Sequence, residues 1–256
     1  MSTTTRGGTW CFPPAAVRPA AAVRLVTDVP SGTVVGHRRR LRLGATAGVA
    51  GPVAFTLAWV IGSLRQPRLA FAAPQISGLA SMAARDPWIM IGGFVVLGGC
   101  SVVFGSALTT ALGGRRAAGP GPALIQAAGV LAIAAGLLRR DHVLLTAGPE
   151  SWHNHAHDVV SAGSYLLLVT APALLARRLR RDPRWHRLAM PLAGSSVTSA
   201  ALLIAFYAGP HDSWDGTLQR IAVSLPLAAM AAVAARLAQL AGLEPAGEPS
   251  RRVRPG

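Results

Sequence analysis

A histidine-rich stretch is the part of the sequence best suited to chemistry. The seven residues from Trp152 to Asp158 read WHNHAHD and lead directly into an apolar run. If a helix begins near Trp152, His153 and His157 share one face because they lie four residues apart. Two imidazoles so placed can bind one divalent metal such as zinc, and a carboxylate from another helix can complete the site. Asp141, which ends the preceding apolar run, is the nearest acid, so the pattern predicts His153, His157 and Asp141 as ligands.

Two other interpretations of this stretch remain open. Histidines in an outer loop are often solvated and titrate freely. The same residues can also form a hydrogen-bonded polar site without a metal, which would include Asp158 and His211.

Arg220 is the second residue of interest, because the last apolar run is short. Its charge-free part covers Ile221–Ala235, about 22 Å of helix at ~1.5 Å per residue. A spanning helix must therefore include Arg220, Arg236 or both. A charge drawn toward the membrane is costly unless it is paired or hydrated, so Arg220 is predicted to join the polar site or to snorkel to water.

Six long segments that lack Asp, Glu and Arg must position these residues. A helix needs roughly 20 apolar residues to cross a bilayer, and no strand-like alternation is visible. We therefore predict an all-α polytopic membrane bundle of six transmembrane helices. The segments are Leu43–Leu64, Pro87–Gly114, Ala117–Leu138, Val159–Ala176, Leu188–His211 and Ile221–Ala235.

Composition supports a membrane domain. The chain is 51% hydrophobic and 14% charged, whereas a soluble domain is roughly 25% charged. The net charge of +15 comes from arginines that lie between apolar runs with few aromatics to stack on bases, which argues against nucleic acid. Anionic headgroups of the lipid bilayer are the expected partner.

The arginines also predict the orientation, because cytoplasmic loops are richer in basic residues. The richer side includes the arginines at 38–42, 115–116, 177–187 and 251–254. Both termini are therefore expected in the cytoplasm of a plasma-membrane protein. Residues 1–42 are predicted to be a disordered tail, residues 43–243 the transmembrane domain and residues 244–256 a second tail. The poorer, outer side has Arg65, Arg68, Arg85, Arg139, Arg140 and Arg220.

Several short motifs occur in an order that resembles the domain-of-unknown-function 998 family of six-helix bacterial membrane proteins. The resemblance covers roughly residues 46–240. It departs from the family where Gly78 follows the loop serine, and His155 is an extra histidine. The family implies an architecture but no activity. The motifs are Gly51-Pro52, Ile76-Ser77-Gly78-Leu79, Trp88 with Gly92-Gly93, Gly136-Leu137-Leu138 before Asp141, His153 with His157, and Gly216-Thr217-Leu218-Gln219-Arg220.

Two functions follow from these patterns. The first is a binding, carrier or scaffold role for a bundle with a polar outer site. The alternative is a metal-assisted hydrolase of a lipid or lipid-linked substrate, with Asp158 or His211 as the base. A haem-binding carrier fits poorly, because the predicted helices contain almost no internal histidine.

Overall fold

The structure is a computed structural model that describes residues 31–66, 74–144, 149–209 and 214–243. These residues form helices and connecting turns, and no strand occurs among them, so the chain is all-α. Two short 3-10 turns cover Ser77–Ala80 and His186–Leu188. The α-helices are α1 Ser31–Leu64, α2 Pro87–Ala111, α3 Arg115–Ala118, α4 Gly121–Leu137, α5 Trp152–Leu179, α6 Ala189–Ala208 and α7 Asp215–Leu243.

Five of these helices are long and apolar enough to cross a membrane, so the chain is a multi-pass membrane protein. They are α1, α2, α5, α6 and α7. The remaining predicted span is the third in chain order, Ala117–Leu138, and it is interrupted at Gly119, which has φ +71°. Helix α4 retains 17 residues, or about 25 Å against a hydrocarbon core of ~30 Å. Six spans are therefore not established by helix length.

The first helix begins earlier than composition predicts. Residues 31–42 belong to α1, although the sequence analysis placed them in a disordered tail. Arginine, which recurs there, is a good helix former, so the apolar helix can continue into this segment. Residues 1–30 and 244–256 lie outside the described residues.

The six long helices pack in chain order. Each contacts the next in the series α1, α2, α4, α5, α6 and α7, and α7 packs back on α1. One end of this closed ring, called the site end, contains the last turns of α1, α4 and α6 and the first turns of α2, α5 and α7. The histidine-rich stretch and Arg220 both belong to the site end.

Small residues bring α2 and α4 into close contact. A Cβ on Gly98 would collide with the carbonyl oxygen of Gly129, and a Cβ on Gly129 would lie 2.6 Å from the carbonyl oxygen of Gly98. Such backbone contact needs glycine on both sides, as is typical of packed membrane helices. The neighbouring Gly99 has nothing within 4 Å of its Cβ position.

We predict that Gly98→Ala destabilises the bundle, because the added methyl must push α2 from α4. Overpacking of this kind costs about 1–3 kcal/mol. The matched change Gly99→Ala should leave stability unchanged or slightly raised, since alanine favours helix. Thermal unfolding of both purified variants in detergent measures the difference. Equal melting temperatures would contradict this close packing.

Candidate functional site

The Arg140 side chain lies at the centre of a polar network at the site end. It follows the end of α4, and only 3% of the side chain is exposed. Its Nε donates to Oδ1 of Asn154 at 3.2 Å, and its Nη1 donates to Oε1 of Gln75 at 3.0 Å. Carboxylate oxygens of Asp158 and Glu150 lie 3.6 and 3.7 Å from the guanidinium. A buried charge requires such partners, because isolation from water is expensive.

The first turn of α5 is shaped to supply these partners. Ser151 caps the helix by accepting a hydrogen bond from the backbone of Asn154. Asn154 and Asp158 then lie one turn apart on the same face, and Asn154 Nδ2 donates to Asp158 Oδ2 at 3.0 Å. Both side chains therefore reach Arg140 from one helix.

Asp141 fixes the loop that joins α4 to α5. It accepts hydrogen bonds from the backbone N–H of Ser151 at 2.6 Å and from the Ser151 hydroxyl at 2.9 Å. The backbone bond first, and then the hydroxyl bond, hold the pKa of this carboxyl below its usual range. Both carboxylate oxygens are thus engaged in ordering the start of α5.

Gln219 ties α7 to the same network. Its Oε1 accepts from the backbone N–H of Ile76 at 2.7 Å, and its Nε2 donates to the hydroxyl of Tyr165 at 3.1 Å. The loop before the first 3-10 turn is therefore held from two sides: by Gln219, and by the bond from Arg140 to Gln75.

These contacts surround a cavity of about 160 Å³, which is enough for about five water molecules. Its wall is polar on the side of Arg140 and aromatic on the side of α6. Asp158 gives it a partly exposed edge, with 44% of that side chain accessible. The lining residues are Gln75, Ser77, Arg140, Asp158, Ser161, Tyr165, Phe206, Tyr207 and Gln219.

The Gln75 amide is incompletely satisfied. Arginine only donates, so the Gln75 oxygen must face Arg140, and this leaves Nε2 on the other side of the amide. That Nε2 is buried and has no hydrogen-bond partner among the described residues. A buried donor without a partner costs about 1–3 kcal/mol.

His157 joins α5 to the end of α4. Its Nδ1 lies 2.8 Å from the carbonyl oxygen of Ala135 and 2.6 Å from that of Leu138, and its Nε2 lies 3.0 Å from the Ser161 hydroxyl. Carbonyl oxygens only accept, so Nδ1 carries the proton and Nε2 accepts from Ser161. Both ring nitrogens of this fully buried imidazole are therefore engaged.

Two further histidines of this stretch, His153 and His155, are more exposed than His157. The His153 ring stacks on Trp152 with centroids 3.7 Å apart, and His155 Nδ1 lies 3.5 Å from Glu150 Oε2. Across the described ranges, no group of three or more His, Cys, Asp or Glu side chains is arranged to hold a metal ion. His211 lies outside the described residues, so its part in the predicted site stays a prediction.

Arg220 is buried at the same end but reaches toward α1. Its Nη2 donates to the Ser63 hydroxyl and to the carbonyl oxygen of Pro74, both at 2.9 Å. Its guanidinium carbon lies 5.2 Å from the centroid of the Trp59 ring, a cation–π distance. Arg220 thus binds the loop that carries Gln75, while its neighbour Gln219 lines the cavity.

The cavity includes only part of the residue set predicted from sequence. Of that set, Asp158 lines it, whereas His157 and Asp141 order the elements around it. The sequence analysis did not assign Gln75, Asn154 and Gln219, and it treated Arg140 only as an outer-side charge. The sequence holds a signal for two of them, because Gln219 precedes Arg220 and Arg140 precedes Asp141, which are both predicted site residues.

The comparisons with known proteins give a family and no further match. A family model described as a protein of unknown function (DUF998) matches residues 49–236, which is well over half of the chain. Neither curated proteins nor solved structures give a significant match.

Proposed function

The chain belongs to the DUF998 family of proteins of unknown function, and we propose that it binds a small polar group in the cavity beside Arg140. The observation that supports this proposal is the chemistry of the cavity wall. A buried guanidinium, two glutamine amides and a carboxylate converge on one space of about 160 Å³. A bundle that needed only to be stable would avoid this polarity, because each buried polar group must find a partner.

The topology that we propose has six spans in the plasma membrane, with both termini in the cytoplasm. Helix α4 packs against both α2 and α5 and so completes the ring. Because α4 is short, it can span the membrane if it lies along the bilayer normal or if the bilayer is locally thinner, and membranes allow both. The arginine bias supports a site end that faces outward. The bilayer is then the partner of the chain, and nucleic acid is not.

Reporter fusions test this topology. Fusions after Arg115 and Arg180 should read as cytoplasmic, and a fusion near Glu150 as external, because the bundle alternates direction in chain order. The opposite pattern would reject the orientation. Two consecutive fusions on one side, at Arg115 and Glu150, would show that α4 does not span.

Binding is a better account of this site than metal-assisted hydrolysis. The ring nitrogens of His157 are occupied by a carbonyl and a hydroxyl partner, and Asp141 is occupied by Ser151. A ligand role would require both residues to exchange these bonds for a metal. The hydrolase therefore stays a prediction from the sequence that no described contact favours.

A stability measurement tests the binding proposal. The probes are monooleoylglycerol, oleate and oleylamine, which share one chain length and differ in headgroup. At least one should raise the melting temperature of the purified full-length protein. Saturation at a hundredfold excess over Kd corresponds to roughly 2.7 kcal/mol.

The rise in melting temperature that a probe causes should depend on the residues of the cavity. Gln75→Met removes an amide from the cavity wall and should abolish the probe-induced shift. The matched control Gln126→Met makes the same change outside this cavity and should retain the shift. Tyr207→Phe provides a second cavity variant if Gln75→Met does not fold. No shift with any probe, or a shift that survives both cavity variants, would contradict the proposal.

A further inference from the structure

An apolar groove on the lateral surface adjoins the polar cavity and shares two lining residues with it. This groove has a volume of about 480 Å³ and lies between α5 and α6. Leu166 and Ile204, on its two sides, are 67% and 68% exposed. In a spanning bundle, such exposed apolar side chains face lipid tails, so the groove opens toward the membrane interior.

Two tyrosines belong to both spaces. Tyr165 and Tyr207 line the polar cavity and also line the apolar groove. Tyr165 is suited to this boundary, because its hydroxyl receives a hydrogen bond from Gln219 on the polar side. Tyrosine has an apolar body and a polar tip, so the chemistry changes from polar to apolar across these two rings.

We propose that the ligand of this site is an uncharged, single-chain amphiphile, such as an acyl ester or amide with a small neutral headgroup, that enters sideways between α5 and α6. This inference rests on the proposed function, because it names the ligand class of the same cavity. The headgroup occupies the space beside Arg140, and the chain lies in the groove. A purely polar ligand would leave the groove unused, and a pure hydrocarbon would leave the polar wall without partners.

The charges around the cavity select a neutral headgroup. Arg140 is the cation among the described lining residues, and carboxylates of Asp158 and Glu150 lie within 3.6 and 3.7 Å of it. Of these two carboxylates Asp158 lines the cavity, so its described lining carries one charge of each sign. An anionic headgroup would meet the Asp158 carboxylate and a cationic one the Arg140 guanidinium, and like charges repel.

The hydrogen-bonding groups select oxygen acceptors. The Arg140 guanidinium and the hydroxyls of Tyr165 and Tyr207 belong to lining residues and supply hydrogen-bond donors. Ester, amide and hydroxyl oxygens accept such bonds without bringing a charge. The cavity holds a headgroup of about the volume of five waters, which suits a glycerol-sized group.

Equilibrium binding of radiolabelled probes to the purified full-length protein tests this inference. Monooleoylglycerol should bind the wild type at least tenfold more tightly than oleate, because the two share the oleoyl chain but oleate carries a negative charge in place of a neutral glyceryl ester. Asp158→Asn keeps the shape of the side chain and removes its charge. Oleate should bind this variant at least fivefold more tightly than it binds the wild type.

The groove is tested separately by a matched pair on α6. Ala200 lines the groove, whereas the adjacent Ala201 is exposed outside it. Ala200→Phe should weaken monooleoylglycerol binding at least tenfold, and Ala201→Phe should keep it within twofold. Melting temperatures of both variants establish that each is folded.

The outcomes separate this inference from the proposed function. If oleate or oleylamine binds wild type best and Gln75→Met abolishes it, the proposed function stands and the neutral headgroup is wrong. If Ala200→Phe and Ala201→Phe bind equally, the sideways groove is wrong. If no probe binds, the proposed function itself fails. The tenfold preference, the Asp158→Asn change and the Ala200→Phe loss together support the inference.

Discussion

Burial of the Arg140 guanidinium is the constraint on which the site end depends. A charge that is 3% exposed in a membrane bundle must be surrounded by oxygens, and no single helix can provide them all. The partners come from the loop before the first 3-10 turn, from the loop before α5 and from the first two turns of α5. Gln219 on α7 and Arg220 then fix the first of these segments. The burial of one side chain thus constrains where two connecting loops and the start of α5 lie.

The ring of helices makes this arrangement possible. Close contact between α2 and α4 through Gly98 and Gly129 keeps the end of α4 near the loop that carries Gln75. His157 links that same end to α5 through the backbone carbonyls of Ala135 in α4 and of Leu138 directly after it. The apolar groove lies between α5 and α6. Close packing between α2 and α4 and an open groove between α5 and α6 suit a site that receives a membrane-soluble molecule.

Hydropathy predicts most of the fold because lipid leaves the chain few alternatives. Apolar runs identify α1, α2, α5, α6 and α7, since a spanning segment must satisfy its own backbone. The charge-free runs understate helix length: α5 begins at Trp152, as the histidine spacing assumed, because Ser151 caps it. The break at Gly119 was missed because hydropathy does not detect it, although Gly119-Pro120 is a dipeptide typical of turns.

The site was predicted only in part, for a different reason. Spacing along one helix identifies His157 and Asp158 as neighbours, but contacts such as Arg140 with Gln75 join residues that are far apart in sequence. The histidines led to the prediction of a metal site because histidine is a common metal ligand. In the structure, His157 is a hydrogen-bonding link between helices, and the less conspicuous glutamines line the cavity.

The most direct test of this account compares the stability of Arg140→Met with that of Arg139→Met. Both changes remove one positive charge from adjacent positions, but Arg139 is half-buried and donates only to backbone carbonyls. We expect Arg140→Met to lower the free energy of unfolding by about 3 kcal/mol, because two buried bonds are lost and nearby carboxylates lose their counter-charge. Arg139→Met should cost about 1 kcal/mol. Equal losses for the two variants would contradict the central role of Arg140.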